Sequence, residues 1–238
     1  MAGHSKWKQI KHKKALLDAK RGKLFTKLIK EISIAARMGG GDASGNPRLR
    51  FLLEKAKDIN MPQENYLRAI KKGTGELPGQ QYEAHSYEGY GPGNIAVIVD
   101  VLTDNKNKAI AELRHVFGRQ GGRIAENGSV SWMFDRLGII ECSAPGLTED
   151  MLLETLLDFD IHTIEEEDGE FTVTCDPRTL DIIKATLTKN SIKVSEAELG
   201  WVPKTPLALE GDAEQKALDF LQAVEDLEDV QNIYTNLE

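Results

Sequence analysis

Apolar positions recur at helical spacing in three segments before residue 73, then alternate between strand-like and helix-like runs to the end of the chain. In residues 20–37, at 100° per residue, Leu24, Phe25, Leu28, Ile29, Ile32, Ala35 and Ala36 fall within an arc of about 140°. Lys20, Lys23, Lys27, Lys30 and Arg37 fall on a separate arc of about 100°. This pattern predicts a helix with one face for a core and another that is basic. Gly39 to Gly41 ends it. A second helix follows Asn46-Pro47, with Leu49, Leu52, Leu53, Ala56 and Ile59 on one side. A third starts at Pro62, a residue suited to the first helical turn, and stops at Gly73; Tyr66, Leu67 and Ile70 are its expected buried set.

Beyond residue 80, NIAVIVDVL (94–102) reads as a buried strand, followed by a helix carrying Ala109, Ile110, Leu113, Val116 and Phe117. GSVSWMF (128–134) and GIIECS (138–143) read as two strands. Thr148 is placed to cap a helix containing Met151, Leu152, Leu156 and Leu157. DIHTIEEEDGEFTVTC (160–175) reads as a hairpin turning at Asp168-Gly169. A helix from Pro177, a strand over 192–199, a short strand over 207–210, a helix burying Ala217, Leu218, Leu221 and Val224, and a strand over 230–234 complete the series. The fold class expected is α+β: an N-terminal helical bundle followed by two ferredoxin-like (βαββαβ) α/β domains, one inserted into the other. The expected divisions are residues 1–80 for the basic arm and bundle, 81–134 plus 204–238 for a discontinuous α/β domain, and 135–203 for the inserted one.

Charge changes this picture more than composition does. At 40% apolar and 29% charged residues the chain reads as globular and soluble. It has no apolar run near the ~20 residues a membrane helix needs. Formal net charge is −8, but residues 1–72 hold 18 Lys+Arg against 6 Asp+Glu, a net of +12, and residues 73–238 carry −20. Between Lys6 and Lys30 stand ten cations, namely Lys6, Lys8, Lys11, Lys13, Lys14, Lys20, Arg21, Lys23, Lys27 and Lys30, with Trp7 and His12 among the first of them. Asp18 is the lone acid there. Lysines neutralise phosphates and release counterions, which gives affinity without sequence reading. Trp7 could stack on an unpaired base. The expected sites are these twelve residues, and the expected partner is nucleic acid, DNA or ribosomal RNA, with no membrane and no small-molecule substrate. A merely solvated basic face accounts for the helix but less well for the arm. A mitochondrial presequence fits poorly, since serine is sparse and the pattern runs on into a helix.

Other candidate chemistry falls away. YEGYGPGN (87–94) lacks the Lys-Ser/Thr of a phosphate loop and precedes a strand, so it reads as a turn. Glu165 to Asp168 sits at a hairpin tip, which suits a solvated turn better than a metal cage. His85, His115 and His162 stand apart from one another and from cysteine, and His115 is expected to be structural. Cys142 and Cys175 lie far apart in apolar stretches and read as reduced core residues of a cytoplasmic protein. No catalytic group, metal site or cofactor is expected, and the protein is not expected to be an enzyme.

The opening AGHSKW, IKHKKA and DAKRGKLFTKLIKEI, with GGGDASGNPRLR, KAKDINMP, AIKKGTGE, YEGYGPG, VDVLTDNKN and ENGSVSWMFDR, resembles the YebC/PmpR family over nearly the whole chain. Members of that family are described as probable transcriptional regulators, and it includes the mitochondrial translational activator of cytochrome c oxidase subunit one. The resemblance implies three domains, as the pattern does. It also implies a non-enzymatic, cytoplasmic role on nucleic acid: DNA binding and transcriptional control, or ribosome association that relieves stalling at proline-rich stretches. A ligand in the cleft between the acidic domains would instead point to an enzyme.

Overall fold

The computed structural model describes residues 21–78, 81–167 and 169–238. Three helices build the bundle: α1 (Arg21–Gly39), α2 (Pro47–Asp58) and α3 (Gln63–Gly73). Leu28, Ile32 and Ala35 of α1 pack with Leu49, Leu52 and Ala56 of α2. Asn46 pins the corner between them. Its side-chain oxygen accepts the Leu49 N–H at 3.0 Å, capping α2, and its amide donates to the Ala35 and Gly40 carbonyls at 2.8 and 2.9 Å. On α3, Tyr66 and Ile70 pack against this core as expected, but Leu67 is exposed and Ala69 is buried. The reason is close approach. Ala69 and Gly73 lie one turn apart, and a Cβ on Gly73 would sit 2.2 Å from the Ser33 carbonyl oxygen of α1.

The outer α/β layer holds β1 (Glu83–Tyr90), β2 (Ala96–Thr103), α4 (Lys106–Arg119) and β3 (Arg123–Ile124), then α7 (Gly211–Glu225) and β8 (Val230–Thr235). Its sheet runs β3-β1-β2-β8, antiparallel throughout. The odd-numbered side of β2, Val97, Val99 and Val101, packs on α4 and α7, where Phe117 and Phe220 meet edge to face at 4.8 Å. The inner layer, β4 (Phe134–Ser143), α5 (Glu149–Thr155), β5 (Ile161–Glu167), β6 (Glu170–Cys175), α6 (Leu180–Lys189) and β7 (Lys193–Pro203), forms a βαββαβ unit. Its strand order is β5-β6-β4-β7. Chain order thus places the whole inner layer between β3 and α7, and β8 returns to pair with β2. Ala96, Ile98, Val130, Phe134 and Trp201 join the two layers, so β2 is buried on both faces over residues 96–99 and reads there as an unbroken apolar run, which Asp100 then interrupts.

Three local readings are corrected. β1 is a strand that the polar, glycine-bearing EAHSYEGY concealed; Gly91 to Asn94 supplies the turn. GSVSWMF is a loop and a short 3₁₀ turn (Ser131–Met133), with strand structure beginning only at Phe134. Residues 207–210 contribute a single parallel bridge, Leu207 to Leu237. In addition, Met151 and Leu157 are exposed, and His115 is exposed on α4 rather than packed against the core.

Candidate nucleic-acid interface

Lys6, Trp7, Lys8, Lys11, His12, Lys13, Lys14 and Lys20 lie outside the described residues. Arg21 opens α1. The basic face of α1 then meets the acidic junction between α7 and β8. Lys23 pairs with Asp226 at 2.8 Å, both about half exposed. Lys27 pairs with Glu225 at 3.3 Å and donates to the Gln231 carbonyl at the same distance. Lys30, only 3% exposed, contacts Asp229 at 2.5 Å and the Glu228 carbonyl at 3.0 Å. Asp229 also accepts the Thr103 hydroxyl at 2.9 Å.

This geometry divides the expected site. An exposed pair such as Lys23–Asp226 contributes at most about 1 kcal/mol and exchanges readily with a phosphate. Lys30 is a dock: its ammonium is desolvated and fully engaged by its own chain, and a phosphate cannot reach it without undocking α1. Lys27 stands between these cases. The helical projection separates the two faces of α1, except that Leu24, expected on the core face, is exposed; it cannot show that the basic face meets acids some two hundred residues away.

Other cations are not among the expected site residues, although Arg37 falls on the basic arc of α1. Arg37, Arg50, Arg68 and Lys71 are exposed on the bundle. Lys72 lies over the Tyr82 ring at 4.3 Å and Lys184 over Phe51 at 3.6 Å. The doublet in AIKKGTGE was a visible signal for Lys71 and Lys72.

Where the bundle meets both α/β layers there is a cleft of about 610 Å³. Glu31 and Arg48 pair across its bundle wall at 2.9 Å. Asp100, Arg136 and Glu198 face it from the layers. Burial raises the Asp100 carboxyl above its ordinary range, partly offset by the Ser86 hydroxyl and Arg136. With three carboxylates against two guanidiniums, this lining does not suit a phosphate chain. Burial pushes the Cys142 thiol up to about 11 and raises Cys175, so neither is a ready thiolate. Among the described residues, no group of three His, Cys, Asp or Glu side chains is arranged to hold a metal, and no helix is long and apolar enough to cross a membrane.

Comparison with known proteins covers both parts of the chain. Residues 5–76 match the family model described as the TACO1/YebC protein N-terminal domain, and residues 82–237 the one described as the TACO1/YebC second and third domain. A relative from Desulfosudis oleivorans named "Probable transcriptional regulatory protein" is 49% identical over 99% of this chain and 96% of its own. One of the same name from Chlorobaculum parvum is 48% identical over 100% and 95%. A crystal structure of a conserved hypothetical protein from Aquifex aeolicus superposes with a TM-score of 0.90 at 43% identity, covering 98% of this chain and 97% of that one.

Proposed function

Since the chain belongs to the TACO1/YebC family, we propose that it is a non-enzymatic, cytoplasmic regulator of gene expression that binds nucleic acid through its basic N-terminal segment. The observation that carries this reading is the segregation of charge: +12 over residues 1–72 against −20 over the remainder. A body of that charge repels phosphates and turns the basic end toward them. The naming of the relatives as transcriptional regulators supports DNA as the partner.

Phosphate contacts position a protein without specifying a sequence, and lysine is a point charge rather than a planar reader of base edges. The first test is therefore affinity against salt, on duplex DNA and structured RNA side by side. Lys11, Lys13 and Lys14 are the residues to reverse, because Lys23 is paired with Asp226 and its reversal would also disturb docking. The K11E/K13E/K14E variant is expected to bind more weakly. Its slope of log affinity against log salt on duplex DNA should flatten by roughly 2 to 3, at about 0.9 per phosphate contact. Its melting temperature should match the parent's. A salt-independent affinity, or equal binding by parent and variant at low salt, would overturn the reading.

A further inference from the structure

Trp132 is 68% exposed, whereas the apolar residues around it in the chain are not: Val130 is fully buried and Phe134 is 3% exposed. These two anchor a loop in the contact between the layers. The backbone leading into the loop is held by Glu88, a buried carboxylate that accepts N–H groups from Gly128, Val130 and Ser131 at 2.8, 2.7 and 2.9 Å. Gly128 has φ +89°, a conformation that favours glycine, and this aims its N–H into the cluster. The Tyr90 hydroxyl donates to the Ser129 carbonyl at 3.0 Å, and the Lys204 ammonium to the Trp132 carbonyl at 3.1 Å. The fold thus uses a buried charge, a left-handed glycine and two long-range hydrogen bonds to hold an indole in water.

The indole N–H already donates to the Ser129 carbonyl at 3.0 Å, so the ring offers its faces and edge but no free donor. Its chain neighbours Ser131 and Met133 are half-buried, so the indole is the exposed apolar surface of this turn. Charge beside it is mixed: Lys204 is 3.4 Å from Asp135, and Arg123 lies on the Tyr90 ring at 4.6 Å. A rigid, solvent-facing aromatic plane with its polar group satisfied, and little net charge around it, suits a flat unpaired ring rather than a phosphate.

We infer that Trp132 is a stacking platform for an unpaired nucleobase, a second contact point of the nucleic-acid interface on the acidic body. This rests on the nucleic-acid reading above and extends it beyond the N-terminal segment. The test is fluorescence anisotropy of fluorescein-labelled single-stranded U15 with the full chain and its W132A and W132F variants, across a salt series. W132A is expected to weaken U15 binding roughly tenfold, W132F to recover most of it, and the salt slope to stay unchanged, because stacking releases no counterions. Unchanged U15 affinity in W132A, with salt-dependent binding intact, would overturn the platform and leave the nucleic-acid reading standing. It would turn attention to a protein partner for this loop. Absence of U15, DNA and RNA binding by the parent would overturn both. Loss of affinity in W132A accompanied by a lowered melting temperature and not recovered in W132F would assign Trp132 a structural role and also sink the proposal.

Discussion

Glu88 sits on β1 at the point where the two α/β layers meet, and three backbone N–H groups converge on it. Burial alone would raise its carboxyl, but donation from Gly128, Val130 and Ser131 outweighs burial and holds it below the ordinary range. A depressed folded-state value means the carboxylate stabilises the fold above its unfolded value, near 4.3, and that contribution fades as pH falls through the folded value. E88Q keeps the shape but turns an amide toward N–H donors, and should cost about 2 to 3 kcal/mol at pH 7. Urea titrations at pH 7 and at pH 3 check this: the gap between parent and E88Q should narrow at the lower pH. A gap that is constant with pH would show that the carboxylate charge contributes nothing. None of this was legible in the sequence. Glu88 reads there as one polar residue in EAHSYEGY, and its partners are backbone groups about forty positions on, so no side-chain pattern records them.

At the scale of elements, periodicity served wherever one face of a helix or strand meets a core. It placed α1, α2, the hairpin of β5 and β6, and the βαββαβ inner layer. It failed where backbone chemistry, not apolar contact, sets the conformation. GSVSWMF has the apolar content of a strand, but Val130 and Phe134 anchor a loop that Glu88 shapes. The docking of α1 is the second such case. Its lysine face was visible, yet ion pairing to residues 225–229 depends on how β8 returns to β2. Lys30 is the decisive residue of that dock. K30M leaves Asp229 buried with the Thr103 hydroxyl but without its countercharge, and should destabilise by about 3 to 5 kcal/mol. Adding D229N should restore a substantial part, because the stranded charge is then gone. Denaturant midpoints of the two single variants and the double variant decide it: additive losses would show that the two side chains are not coupled.

For the whole molecule, the charge segregation read from the sequence is folded back on itself where α1 lies against the α7–β8 junction, and again where Lys55 of α2 pairs with Glu196 of β7 at 2.8 Å. The acids of the α7–β8 junction compete with any polyanion for Lys23 and Lys27. Removing the competing acid with the least structural role should therefore strengthen binding. That acid is Asp226, which is half exposed and pairs with Lys23. D226N should cost no more than about 1 kcal/mol of stability, as for other exposed pairs. It should raise duplex DNA affinity at low salt and steepen the salt slope by up to about 0.9, one additional phosphate contact. The same change in net charge at an exposed site within α7 separates local release from reduced long-range repulsion, and D219N provides it. Asp219 touches Gln215 on its own helix. Both variants relieve repulsion by one charge, but only D226N frees a lysine at the basic face. Equal effects of the two would mean that Lys23 stays off the phosphates and that the residues ahead of α1 carry the contact alone. A larger effect of D226N would mean that the interface continues onto the first turns of α1, up to the point where Lys30 is buried.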